Sequence, residues 1–283
     1  MSELRTEFSF QSPIEIVNQA LDKGITDFYC LLSGGKDSMA VTHFMSRNFE
    51  DNFKGVVYTM TGMGLSESRY FALSVSDYFK WNLSFTWAQK NYVDWVLEHG
   101  FGGRGVHNRV MALLKSMSWR QFSMEHEPDK MAFISGVRKK ESKRRSQRIA
   151  YKQPIDRDWK QWYVKPFFYQ NGIQIWDYIH KFDLQISPVH NILNISGDCL
   201  CGCYADPKWE LKLIEKYYPQ MFESIKWLQK RVQTHGTQKA KKYPTWGSGP
   251  SVEDIEAQES LEAFFEHDIN MEEYCTESCQ VEL

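Results

Sequence analysis

Apolar positions recur at two different periods along this chain, and the alternation between the periods sets the expected architecture. Ile14, Ile16, Val17 and Leu21, behind Ser12-Pro13 and ahead of Gly24, fit a capped amphipathic helix. Phe28 to Leu32 is a short unbroken apolar run, as in a buried parallel strand. A Gly-rich turn follows, and Met39 to Arg47 continues as a helix. Strands at 54–59, 83–87 and 131–135 then alternate with helices at 66–80, 92–99 and 108–125. The expected fold is α/β, a parallel sheet with helices on both faces, carrying its ligand beyond the carboxyl ends of the strands.

After about Tyr151 the pattern changes. Trp162–Pro166, a helix over 173–182 and a cysteine-rich stretch at 199–203 read as a smaller, mostly helical C-terminal region. A helix over 207–232 should be kinked or divided by Pro219. Residues 236–250 are polar, Lys-rich and punctuated by Gly and Pro, which predicts a mobile linker. The expected organisation is a nucleotide-binding domain over 1–160, a cysteine-bearing part over 161–235, and a linker with acidic tail over 236–283.

Composition narrows the class. A hydrophobic fraction of 42% supports a core and excludes global disorder. No apolar run is long enough to span a membrane, and the first residues hold no apolar signal core. The expected compartment is therefore the cytosol, where thiols stay reduced and six cysteines suit metal or redox work better than disulfides. The net charge of −2 conceals an asymmetry. Residues 138–152 are strongly basic with Glu141 as their one acid, while 251–283 contain no Lys or Arg. The basic stretch suits a polyanion, a nucleic-acid acceptor included; the plainer alternative is a pair of solvated helix faces.

Ser33-Gly34-Gly35-Lys36-Asp37-Ser38 carries the chemistry. Small residues between a strand and a helix let backbone N–H groups approach a phosphate, and the helix N-terminus adds partial positive charge. Lys36 supplies a mobile cation, Ser33 and Ser38 supply hydroxyls, and Asp37 can cap the helix or help hold Mg2+. The Gly-x4-Gly-Lys-Ser spacing of a Walker loop is absent. An ordinary tight turn is the alternative.

This turn resembles the PP-loop of the ATP pyrophosphatase (adenine nucleotide alpha hydrolase-like) superfamily, with its Rossmann-like fold. The resemblance implies that the loop holds the pyrophosphate of ATP while the α-phosphate is attacked. Gly136-Val-Arg138-Lys139-Lys-Glu141-Ser-Lys-Arg-Arg145 resembles the Gly-x-Arg-x-x-Glu-Ser-x-x-Arg segment of the phosphoadenosine phosphosulfate (PAPS) reductase family. That resemblance implies oxyanion contacts from Arg138 and Arg145, with Lys139 beside them, Gly136 in the nucleotide site and Glu141 orienting an arginine. Thr61-Gly62 resembles the family's Asp-Thr-Gly, with Met60 in place of the Asp. Lys165-Pro166 to Ile179 extends the likeness, which covers about residues 26–205.

Cys199-Leu-Cys201-Gly-Cys203 and Cys275-Thr-Glu-Ser-Cys279 together offer five thiols. Four suit a [4Fe-4S] cluster or a structural zinc; buried thiols or a separate redox pair are the alternatives. DndC-like sulfurtransferases resemble this arrangement, which favours iron–sulfur. Cys30 sits in an apolar strand and reads as core, while His107, His126, His180 and His190 show no metal-like spacing. Trp246 either stacks on a nucleobase or docks its linker on its own domain.

Sulfonucleotide reductases of the resembled family usually carry an altered loop, so the resemblance of an intact loop implies ATP over a sulfonucleotide. The expected function is an ATP-dependent enzyme that adenylylates its substrate, releases pyrophosphate and supports sulfur transfer, with a sulfur donor or reductant protein as partner. The alternatives are a sulfonucleotide reductase, a sulfate adenylyltransferase like that enzyme's small subunit, and a module that only binds nucleotide or nucleic acid.

Overall fold

The computed structural model describes residues 11–139, 153–158 and 160–249. Its described residues fall in two compact units. The first lies within Met1–Tyr92, Met111–Leu200 and Lys212–Phe222; the second lies within Val93–Val110, Cys201–Leu211 and Glu223–Leu283. No described helix is long and apolar enough to cross a membrane.

The first unit opens with α1 (Pro13–Asp22), whose start is fixed by a capping box between Ser12 and Glu15 with Pro13 in the first turn. Its sheet comprises β1 (Asp27–Leu31), β2 (Phe53–Met60), β3 (Leu83–Trp87), β4 (Met131–Ile134), β5 (Ile155–Asp158) and β6 (Gln161–Val164). The spatial order is β3-β2-β1-β4-β6-β5. All neighbours are parallel except β5 and β6, an antiparallel pair at one edge. Strand order therefore reverses between β1 and β4, the switch point where α/β sheets place ligands.

Alternation along β1 divides the core. Phe28 and Cys30 join the large cluster that includes Ile16, Met39, Val56 and Phe168. Tyr29 and Leu31 face a smaller cluster of Val57, Trp119, Met131 and Phe133. All four residues of β4 are buried, as a central parallel strand requires, and each large apolar side chain there contributes about 2 kcal/mol of burial.

The helices of this unit are α2 (Lys36–Asn48), α3 (Ser66–Phe79), α6 (Met117–Met124), α7 (Gly172–Lys181) and α8 (Pro188–Leu193). Asn171 and Gln174 form a second capping box at α7. The expected helix over 108–125 is not uniform. It runs as α5 (His107–Met111), a π-helical turn Ala112–Ser116 and then α6. The β5–β6 hairpin was not expected, since Ile155-Asp-Arg-Asp158 has no apolar alternation to announce it.

Pro219 divides the long C-terminal helix as expected, into α9 (Glu210–Tyr217) and α10 (Pro219–His235). In the second unit, with α4 (Tyr92–His99), residues 236–249 differ from the mobile linker expected of their composition. The Thr237 amide donates to the Leu97 carbonyl at 3.0 Å, and the Phe101 amide to Tyr243 at 2.9 Å. The Trp246 amide donates to Gln229 Oε1 at 3.0 Å, and its indole is 1% exposed. An anchored indole and paired backbone override a polar composition. Trp246 is thus docked in its own unit, which withdraws the nucleobase-stacking alternative. The acidic tail lies outside the described residues.

Candidate functional site

The Ser33–Ser38 turn follows β1 at the switch point and opens α2. Gly35 is the residue before the helix, with extended backbone and no side-chain cap, so no side chain competes for the N–H groups of that first turn. Gly34 adopts φ +82°, a left-handed conformation that glycine takes without penalty. Its carbonyl accepts the Ser187 amide at 2.9 Å, and a Cβ there would meet Phe71 and Ser187 at 3.1 Å. The two serines close the turn. Ser33 donates to Ser38 Oγ through its hydroxyl at 3.1 Å and its amide at 3.3 Å, while Ser38 Oγ donates to the Gly35 carbonyl at 2.9 Å.

The charged residues converge on one carboxylate. Lys36 Nζ lies 2.8 Å from Asp37 Oδ2, and Arg138 Nε donates to Asp37 Oδ1 at 2.6 Å. Arg138 arrives from β4, 101 residues away, with its side chain 7% exposed. The approach depends on Gly136. A Cβ on that residue would sit 2.7 Å from the Asp37 carbonyl carbon and oxygen and 2.9 Å from the Ser38 nitrogen. The segment after β4 therefore lies directly on the first turn of α2. Two cations share one anion here, a surplus of positive charge that suits a polyphosphate.

Lys139 is placed differently. Its amide donates to the Phe168 carbonyl at 2.8 Å and its ammonium lies 5.9 Å from the Tyr169 ring centre. Glu141 and Arg145 lie outside the described residues.

The second lip follows β2. Thr61 is buried, donates to the Asp198 carbonyl at 2.8 Å and accepts the Met63 amide at 3.3 Å. Its hydroxyl is thus committed to holding the loop. Gly62 has φ +73° and nothing within 4 Å of a Cβ position, which leaves open space beside it. The strap 196–200 seals this lip. The Leu65 amide donates to Gly197 at 2.8 Å, Ser68 Oγ to Ser196 at 2.9 Å, and the Leu200 amide to Met63 at 2.6 Å.

Four residues of this neighbourhood escaped the sequence reading. Asp198 is 6% exposed and accepts from Ser196 Oγ at 2.6 Å and from the Lys115 ammonium. Lys115 stands on the π-helical turn, a feature that often marks functional sites. The fourth is His190, expected on packing or surface grounds. It follows the Ser187 cap of α8, and its Nδ1 lies 4.0 Å from a Gly35 Cβ position. Burial first, then the Lys36 charge, lowers the His190 pKa; a backbone hydrogen bond at Ile195 and the Asp37 charge oppose them. Ser187-Pro188 repeats the Ser12-Pro13 helix-start signal, so this helix was within reach of the sequence.

Among the described residues, the cysteines do not form a comparable centre. Cys30 is fully buried, with its thiol pushed up by desolvation, and belongs to the core. Cys199 belongs to the first unit; Cys201 and Cys203 are buried in the second. Cys203 Sγ packs where a Gly102 Cβ would come within 2.6 Å. Among the described residues, no three His, Cys, Asp or Glu side chains are grouped to hold a metal ion. Cys199, Cys201 and Cys203 alone therefore do not fit a cluster, and Cys275 and Cys279 lie outside the described residues.

Comparison with curated proteins finds no match. Among solved structures, PAPS reductase from Candida auris, in a phosphate complex, has 12% identity and TM-score 0.45, covering 68% of this chain and 93% of that one. FMN adenylyltransferase from Candida glabrata, with FMN and an ATP analogue, has 12% identity and TM-score 0.42, covering 68% of this chain and 65% of that one. NH3-dependent NAD synthetase from Campylobacter jejuni has 14% identity and TM-score 0.43, covering 80% and 95%. Residues 27–207, well over half of the chain, match the phosphoadenosine phosphosulfate reductase domain, and the chain belongs to that family.

Proposed function

We propose that this enzyme binds ATP in the Ser33–Ser38 loop, releases pyrophosphate by adenylylating an oxygen of its substrate, and so prepares that position for sulfur. The observation that carries the reading is the convergence of Lys36 and Arg138 on Asp37 at an uncapped helix start. The acceptor oxygen attacks the α-phosphorus, the bond from that phosphorus to the bridging oxygen breaks, and pyrophosphate leaves with the electron pair. A sulfur nucleophile then displaces AMP from the adenylylated position. Lys36 and the loop N–H groups hold the departing charge, and Arg138 neutralises phosphate oxygens beside it. Magnesium suits this donor set through the nucleotide's phosphates and the Asp37 carboxylate, and when bound it supplies charge neutralisation. The basic stretch after Arg138 suits a nucleic-acid acceptor.

Release of AMP and pyrophosphate from ATP, followed with candidate acceptors, tests the reading. Lys36→Ala should lower it by about 100-fold or more while the thermal transition stays in place. Full release by that variant would overturn the mechanism.

A second reading is sulfonucleotide reduction, in which a cysteine thiolate attacks the sulfur, the nucleotide leaves with the bridging phosphate oxygen, and a donor thiol then displaces sulfite from the S-sulfocysteine as a disulfide forms. It draws on the name of the matching family and on described cysteines that form no disulfide with one another. Sulfite production with a thiol donor, and tighter binding of PAPS than of ATP, would place it first.

A further inference from the structure

We infer that His190 is a phosphate-contacting residue of the nucleotide site, presenting Nδ1 to an oxygen of the bound pyrophosphate. The inference rests on the reading that Ser33–Ser38 binds phosphates, and it adds a contact that the loop motif does not contain.

The start of α8 fixes the placement of the ring. The Ser187 amide bonds to the Gly34 carbonyl at 2.9 Å, which ties the start of α8 to the loop. Ser187 Oγ accepts the Val189 amide at 3.3 Å and the Ser187 carbonyl accepts the His190 amide at 2.9 Å, so His190 is one tight turn from that anchor. On the far side, the Ile195 backbone acts on the ring and favours its protonated form. Nδ1 is left buried and without a hydrogen-bond partner, close to the Gly35 position that opens α2. A buried, unpaired ring nitrogen costs stability unless something fills the site. At an uncapped helix start beside Lys36, the group that fits is an anion.

The tautomer decides what Nδ1 can do. A neutral ring that carries its proton on Nε2 offers a lone pair at Nδ1, and a protonated ring offers an N–H there. The charged groups acting on it are Lys36, which opposes protonation, and Asp37, which favours it. Asp198, on the strap after Ile195, is engaged by Ser196 and Lys115. A pyrophosphate would occupy Lys36 and add negative charge of its own. Both changes favour protonation, so binding should draw a proton onto Nδ1.

Calorimetric titration of the full chain with inorganic pyrophosphate, in buffers of different ionisation enthalpy above about pH 7, reads both affinity and proton uptake. The expected result for the wild type is binding with net uptake approaching one proton. His190→Ala should bind about ten-fold more weakly with that uptake lost. His190→Asn keeps an amide where Nδ1 stood, so it should retain most of the affinity without the uptake, and it serves as the test should His190→Ala fail to fold. Wild-type affinity in His190→Ala, or undiminished uptake in His190→Asn, would overturn the inference alone. A wild type that does not bind pyrophosphate would overturn the loop reading as well.

Discussion

The Ser33–Ser38 loop and the Cys199–Cys203 segment are both short, both rich in reactive side chains and both interrupted by glycine, yet only the loop gathers its chemistry among the described residues. The groups the loop can offer a phosphate are backbone N–H groups, a helix start and neighbours in sequence, all supplied by one strand–turn–helix. Distant parts add Arg138, which reaches Asp37, and Ser187, whose amide reaches the Gly34 carbonyl. A thiolate site works the other way. Its donors are side chains, four must converge, and a run of three covers neither the geometry nor the count. Here the run straddles two units, with Cys199 in one and Cys201 and Cys203 in the other. The groups a phosphate needs can thus be a local property of a chain, whereas those a metal needs are a collective one.

The sharpest way to break this comparison is Gly136→Ala. The added carbon would stand 2.7 Å from backbone atoms of Asp37, which cannot rotate away as a side chain would. The segment bearing Arg138 must lift off the loop. Displacement of a catalytic group by about 1 Å costs on the order of 100-fold in rate, so pyrophosphate release should fall by that much. Activity near wild type would mean that the contact between the two segments does not organise the site.

Trp246→Ala addresses the other region. Its indole is 1% exposed and its amide is held by Gln229, so truncation should cost the second unit about 3–5 kcal/mol in denaturant unfolding. Pyrophosphate affinity should change little. Loss of affinity in a folded protein would show that the loop is less self-contained than its geometry suggests. Gly102→Ala, which puts a carbon 2.6 Å from Cys203 Sγ, should cost a smaller amount, about 1–3 kcal/mol. An unchanged transition would mean that Cys203 turns away at no cost and is not fixed by packing.

What was legible in the sequence follows the same division. β1 to β4 were readable because buried parallel strands are continuous apolar runs, and α1 because Ser12, Pro13 and Glu15 write its start in four residues. The β5–β6 hairpin was not, because Ile155-Asp-Arg-Asp158 looks like a polar loop until β6 pairs with it. The π-helical turn at 112–116 leaves no trace in a pattern that suits an ordinary helix equally well. Within the site, Lys36, Asp37 and Arg138 stood in recognisable motifs. His190, Lys115 and Asp198 are single residues whose relevance comes from the fold. The linker at 236–249 misled because composition counts polar residues and overlooks one anchoring indole.

The smallest expected effect lies in the pH dependence of the empty protein, and it separates the two units. His190 and His43 in the first unit are both depressed below the ordinary histidine value of 6.5, chiefly by burial. His99, in the second, is depressed by burial too, with Glu98 opposing. Between each depressed value and 6.5 the unfolded chain binds a proton that the folded chain does not, so acid favours unfolding there. Stability measured by denaturant between about pH 5 and 8 should therefore rise with pH up to the ordinary value and then level off, as far as these groups decide it. His190→Asn should flatten part of that rise for the first unit and leave the His99 share of the second untouched. Saturating pyrophosphate should flatten it further in the wild type, because a ligand that favours the protonated ring removes the penalty on acid. A rise that persists unchanged with pyrophosphate bound would mean that the ring stays neutral, and that the two units differ in their loops but not in their histidines.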